Sequence, residues 1–475
     1  MAGNPGGGPS RTLGIFTLAM INMAAILTLR NLPLMAYYGL ASVFFYGVAA
    51  LAFFLPVALV AAELATTYPE AGGVYAWVKR GFGPKYGFLA VWMDWVENVV
   101  WFPTVLSFVA ATIAYVVAPS LDENKTFMVT VMLVVYWGAT FVNFYGMRAS
   151  GLISSIGTIA GTIIPGCLLI IMAVVWLVMG KGVKFAVSWD AFFPDMKLSN
   201  MSFFAGVILG YFGIEMAAYH AREARDPKRD YPKAILLSVV TIVAVFIMGS
   251  LAIAVVVPAK DISLVAGLMQ AMERFFDPFG LKWVVPLLAV LVAAGGIAQI
   301  STWLVGPSKG LLATARDGSL PPTLERVNKA HMPVSILVAQ GLVSTVFVLL
   351  FLLVPNANSF YWILSALTAQ ITVIMYILMF AAAIRLRYSD RGAKRPYQVP
   401  GGIIGMWLIG GIGLAACFFT FFVGFVPPIH LKTSGLIGFE AFLVLGIVAL
   451  SLPPFILDRI KKPNWVPEHP EELED

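Results

Sequence analysis

The chain has 475 residues, of which 60% are hydrophobic and only 12% charged, and its mean hydropathy of +0.87 excludes a soluble globular protein. Its net charge of +6 comes from cations in interhelical loops that build no basic face, which excludes a nucleic-acid partner. The two cysteines, Cys167 and Cys417, sit in separate apolar runs and support neither a disulfide framework nor a Cys-based metal site.

Met1 to Ser10 is rich in Gly and Pro and lacks the cationic start and small-residue cleavage site of a leader, so residues 1–12 read as a retained tail. Apolar runs comparable to the about 20 residues a helix needs to cross a bilayer then follow one another. Hydropathy and turn signals place them at 13–38, 41–67, 88–118, 126–148, 151–179, 201–224, 232–257, 281–315, 333–354, 359–387, 403–426 and 436–459. The fold expected is an all-α membrane protein with twelve transmembrane helices. An even number of spans leaves both termini on one side. That side holds 22 Lys and Arg and the other eight, with Arg30 inside the first span. By the positive-inside rule the richer side, with both termini and the tail 460–475, is cytoplasmic, and the membrane is the cell inner (plasma) membrane.

Two spans carry interruptions. The first has Asn22 and then Thr28-Leu-Arg-Asn31 before Pro33, and the sixth has Gly206, Gly210 and Gly213 ahead of Glu215. These open two five-helix blocks, 13–179 and 201–387. An odd number of spans inverts one block relative to the other, so matching breaks point to a five-plus-five inverted repeat with a site at mid-membrane. Residues 403–459 then add two extra C-terminal helices.

A charge at the membrane centre costs about 2.5–3.5 kcal/mol on insertion scales, so each one asks for a cavity or a partner. Glu215 sits beside glycines that permit unwinding, and reads either as a binding or coupling group or as a tie between helices. Asp94 and Glu97 are three residues apart on one helical face; they suit a shared proton or a cation, or else Glu97 bridges structurally to Arg30. Arg30 lies roughly 10 Å outward of the first break at about 1.5 Å per residue, where it holds a carboxylate, gates an outer vestibule, or snorkels to the interface. Glu63 precedes Gly72, Gly73 and the amphipathic "VYAWVKRGFG", and reads as a structural contact or an inner gate. His220 suits a pH sensor or simple packing. The mixed-charge "AREARDPKRDYP" reads as a solvated loop or an inner salt-bridge gate.

Residues 62–87, "AELATTYPEAGGVYAWVKRGFGPKYG", resemble the second helix and first cytoplasmic loop of the amino acid–polyamine–organocation transporters. "GYFGIEMAAYHAREARDPKRDYP" (210–232), "STWLVGPSKGLLATARDGSLPP" (301–322) and "RPYQVPGGIIG" (395–405) resemble the glutamate/γ-aminobutyrate antiporter branch. The resemblance implies unwound first and sixth helices with the substrate between them, and exchange of an amino acid for another or for its decarboxylated amine. It points to Asn22, Met23, Ala24, Ala25 and Ile26 on one helix and Tyr211, Phe212, Gly213 and Glu215 on the other. It adds Gln299, where that branch has an acidic residue, with Trp303 below it, and a wall made by Tyr376 with Thr372 one turn above. Two departures stand out: "INMAAILTLRNLP" has no Gly-rich break for a carboxylate, which favours an amine or polyamine, and the chain ends soon after the twelfth span, so gating by a C-terminal plug is not carried over.

The function expected is secondary active amino acid transport by alternating access, most simply as an antiporter. Proton-coupled symport of an amino acid or polyamine is the alternative, with a channel or a membrane enzyme as rivals from other classes. The partners expected are a small-molecule substrate, protons and the lipid bilayer. No cofactor or metal is expected, since "GPSKG" lacks phosphate-loop spacing and no HExxH, GxSxG or Cys/His set occurs.

Overall fold

A computed structural model describes residues 14–68, 72–146, 155–194, 197, 201–215, 225–226, 229–427, 436–462 and 465. Among them every regular element is helical, as backbone groups facing lipid require. Among the described residues ten helices are long and apolar enough to cross a membrane. Of the two expected spans outside that group, the first is split in two and the sixth is described only to residue 215.

The first is split into α1 (Ile15–Ile26) and α2 (Leu32–Ala36). Then come α3 (Ala41–Thr67), the amphipathic α4 (Val74–Phe82), α5 (Pro84–Val117), α6 (Lys125–Asn143) and α7 (Ser155–Val178). The sixth span begins as the short α8 (Phe203–Gly210). It is followed by α9 (Asp230–Val256), α10 (Gly267–Phe276), α11 (Val284–Thr314), α12 (Val334–Leu349), α13 (Ala357–Ser389) and α14 (Gly402–Val423). Two short helices, α15 (Leu436–Ser451) and α16 (Pro453–Ile460), close the described chain.

Burial orders these helices around a centre. The apolar stretch of α5 is 89% buried, against 28% for α7 and 11% for the last span, so α5 is the post and the others face outward. α5 packs along α11 and α13, and this is where charges are later found. Pro103 lies inside α5 and supplies no N–H to the carbonyl four residues back. That carbonyl, of Val99, instead accepts a hydrogen bond from Ser344 Oγ of α12 at 3.2 Å. The helix therefore continues past its proline with the freed group satisfied from a neighbour.

Small residues set one close crossing. A Cβ on Gly161 of α7 would lie 2.3 Å from the backbone N of Gly295 in α11, so the two backbones touch through paired glycines, as small-residue crossings in lipid do. A π-helical turn at Ala50–Phe54 in α3 shifts Phe53 and Phe54 toward the sixth span; such turns recur beside functional sites.

The loops sort into two faces. On one, Lys79 pairs with Asp317 at 2.5 Å, Arg80 with Asp390 at 3.4 Å, Lys85 with Asp458 at 3.6 Å and Glu63 with Arg387 at 2.7 Å. On the other, Lys125 Nζ donates to Val354 O at 2.6 Å and Arg274 lies 3.9 Å from Asp261.

Candidate functional site

The first break starts where Leu27 turns extended (ψ 118°), its N–H still bonded to Met23 O at 2.8 Å. Helix resumes only at Leu32, with Pro33 in its first turn, because a proline there needs no donor. The polar side chains between have separate tasks. Thr28 Oγ1 donates to Gln299 Oε1 of α11 at 3.1 Å, and Asn31 Oδ1 accepts from Tyr361 of α13 at 3.2 Å. Arg30 Nη1 donates to Thr104 Oγ1 of α5 at 2.5 Å, and its guanidinium lies 5.4 Å from the ring centres of both Trp101 and Tyr361. Arg30 is 1% exposed, which overturns the snorkelling alternative. It forms no ion pair within 4.0 Å among the described residues, so the Arg30–Glu97 bridge is not formed.

The second break follows Gly210. Gly213 has φ +107°, a conformation that favours glycine, and a Cβ there would come 2.9 Å from the Trp303 ring. Tyr376 staples the unwound segment: its hydroxyl accepts the Gly213 N–H at 3.2 Å and donates to Glu215 Oε2 at 2.6 Å. Phe212 packs against Phe53 and Tyr376 with ring centres 5.5 and 5.1 Å away.

Both breaks meet at one cavity of about 30 Å³, room for about two waters. The first break contributes Ala25, Ile26, Thr28, Arg30 and Asn31, and the second Leu209, Gly210 and Phe212. α5 adds Glu97, Asn98 and Trp101, while α11 adds Gln299 and Trp303. Glu97 is held by neutral groups: Thr372 Oγ1 donates to Oε2 at 3.1 Å and Asn98 Nδ2 to Oε1 at 2.8 Å. A buried cation and a buried carboxylate thus line one space without pairing to each other.

Of the residues singled out in the sequence, Ala25, Ile26, Phe212, Gln299, Trp303, Arg30 and Glu97 line this cavity. Thr372, Tyr376, Gly213 and Glu215 form the layer that holds it. Asn22 turns away, donating to Ser238 of α9 at 3.1 Å, and Tyr211 donates to Tyr46 O at 3.1 Å while stacking on Phe54. Met23 and Asp94 are not among the lining residues. Ala24 lies in α1 with its side chain outside the described residues, and His220 lies outside them altogether. Thr28, Asn31, Asn98, Trp101, Thr104 and Tyr361 were not singled out individually for the site; only pairing across the bundle sets them apart from packing.

Glu63 belongs to another place. Its carboxylate accepts from Arg387 Nη2 and the Val399 N–H, both at 2.7 Å, and lies 3.4 Å from Arg395 Nε. Burial, reinforced by the Glu63 charge, pushes Tyr397 up to about 12. Nearby, burial and the Asp317 carboxylate raise Tyr75, which stays a donor to Asp317. Acidic and basic groups thus pair with one another on the face that carries α4.

The amino acid permease family model matches residues 13–450. The chain belongs to the amino acid permease family. It is 44% identical to an uncharacterized transporter of Legionella pneumophila over 94% of its own length and 97% of that protein's. It is 31% identical to the glutamate/γ-aminobutyrate antiporter of Lactococcus lactis, over 94% and 90% respectively. A probable agmatine/putrescine antiporter of the same species is 25% identical over 78% of the chain and 79% of that protein. The family and these relatives are transporters, not enzymes, and the two relatives whose names state substrates carry amino acids or amines. With ten helices apolar enough to cross a membrane, the chain is an integral membrane protein.

Proposed function

We propose that the protein is a secondary amino acid antiporter working by alternating access, with its substrate held in the cavity where the two broken helices meet. The observation that carries this reading is the convergence itself. Residues 25–31 and 209–212, at the interruptions of two helices, line one space with Arg30 and Asn31, and α5 and α11 complete it with the Glu97 carboxylate and the amides of Asn98 and Gln299. Unwound backbone at membrane depth is tolerated where it is buried in protein or lines a cavity, and breaks at two repeats are how many carriers build a site.

The full architecture proposed is twelve transmembrane helices, counting each broken pair as one. Residues 13–179 and 201–387 are inverted repeats, and 403–459 adds two helices. Both termini are cytoplasmic in the cell inner membrane, since the face carrying Lys79, Arg80, Lys85, Arg387 and Arg395 is the cation-rich one. A cavity with room for about two waters is smaller than an amino acid, so entry requires the walls to part. Movement of α1, α2, α3, α8 and α9 against α5 and α11 would open the two faces in turn.

Counterflow in proteoliposomes tests this. Vesicles loaded with an unlabelled substrate should accumulate the labelled amino acid transiently above equilibrium, over a panel of amino acids and amines at two pH values. Currents far above carrier turnover would instead establish a channel. Proton symport is the second reading, favoured by the buried Glu215 with its Tyr376 bond. It requires uptake driven by a proton gradient with no substrate inside.

A further inference from the structure

Within the cavity just assigned, the polar groups have unequal needs. Arg30 Nη1 is used by Thr104, yet Arg30 Nε is buried with no hydrogen-bond partner. Its charge faces the π-surfaces of Trp101 and Tyr361 at 5.4 Å, which soften a cation's desolvation without matching the geometry of a planar five-donor fork. The opposite need also borders this space: Asn98 gives its Nδ2 to Glu97 and to Asp94 O, each at 2.8 Å, and its Oδ1 is buried without a partner. An unpaired donor on a cation and an unpaired acceptor beside a carboxylate define two complementary ends.

We infer that Arg30 is the anchor for the substrate's carboxylate, opposite Glu97 and Asn98 for its ammonium group, so that this transporter takes amino acids and rejects diamines and polyamines. This rests on the reading that the cavity is the substrate site. A carboxylate satisfies Arg30 with charge-assisted bonds that water or an amide supplies more weakly. A diamine would instead bring a second cation beside a guanidinium that already lacks a counter-ion, and like charges in a desolvated site repel strongly. The polyamine substrate favoured by the missing glycine run in "INMAAILTLRNLP" is thereby disfavoured. Arg30 lies within that segment and provides a side-chain cation in place of the glycines.

The test begins on the wild-type protein in detergent, measuring thermal stabilisation by the proteinogenic amino acids, by γ-aminobutyrate and by putrescine. For each stabilising amino acid, its amide and its decarboxylated amine are titrated alongside. Loss of a hydrogen bond to a charged group predicts that affinity falls by about 30-fold or more when the carboxylate is removed. Arg30→Gln should weaken the acid by a similar factor and abolish the preference for acid over amide, with Arg30→Lys between the two. The proposal is overturned if amide or amine binds within about threefold of the acid, or if Arg30→Gln leaves the acid's affinity unchanged. The ligand series on the unaltered protein decides the question even if the variants fail to fold. Binding of amines alone sinks the anchor but leaves transport through this cavity standing, whereas binding of nothing in the panel sinks both.

Discussion

Replacing Glu63 should destabilise the protein more than any single exposed charge. The side chain is 4% exposed and faces Arg387 and Arg395, themselves 6% and 9% exposed, and it also accepts the Val399 N–H. Glu63→Ala leaves the Arg387 Nη2 and the Val399 N–H without their acceptor and takes the neighbouring carboxylate from Arg395, whose other bonds go to backbone carbonyls. Breaking a buried pair in this way costs about 3–5 kcal/mol. Unfolding entropies of about 2.1 cal/mol/K per residue imply roughly 1 kcal/mol of stability per degree for a chain of this size. The midpoint of thermal unfolding should therefore fall by about 3–5 °C, and Glu63→Gln by somewhat less because the amide oxygen still accepts. A double-mutant cycle with Arg387→Met separates pairing from packing, with an expected coupling of about 0.5–3 kcal/mol. A Glu63→Ala shift under about 0.5 °C, the range of ordinary surface substitutions, or a strictly additive cycle, would refute the reasoning.

Other substitutions probe the scaffold and the site separately. Gly161→Ala would set a methyl group 2.3 Å from the Gly295 backbone N and the Leu291 carbonyl, so folded protein recovered after size exclusion should fall sharply; normal yield would contradict the α7–α11 crossing. Glu215→Gln keeps an acceptor for Tyr376 but cannot ionise, and initial uptake rates should lose their pH dependence; an unchanged pH profile would remove Glu215 from coupling. Trp303→Ala deletes a cavity wall whose Nε1 reaches Ala25 O at 3.4 Å. It should lower kcat/KM for the native substrate by roughly tenfold or more while admitting bulkier side chains, and unaltered selectivity would mean that Trp303 only packs.

The elements were legible where periodicity and turn chemistry agree. Gly72 and Gly73 have positive φ of 111° and 50° and lead into α4, as the sequence signals there require. The break before Pro33 was readable because a run of Thr, Arg and Asn has no reason to sit in lipid. The sixth break was readable for a partly mistaken reason. Gly213 adopts the left-handed conformation, but Gly206 lies within α8, where a Cβ would meet Leu34 at 2.3 Å, so it is a contact glycine.

The site was less legible because its members come from distant segments. Thr104 and Tyr361 owe their roles to Arg30 and Asn31, 74 and 330 positions away, and no local pattern distinguishes them from residues that only pack. Asn22 shows the converse: a polar residue near a break that bonds to α9 instead. Glu97 and Asp94 share a helical face, yet only Glu97 borders the cavity, a difference of one turn that spacing alone does not set.

The most direct measurement is a structure determined by electron cryo-microscopy at saturating concentrations of the amino acid that shows counterflow. The account predicts that amino acid between residues 25–31 and 209–212, its carboxylate at Arg30 and its ammonium group toward Glu97 and Asn98. A substrate seated elsewhere in the bundle, or in this cavity with its carboxylate turned away from Arg30, would contradict it.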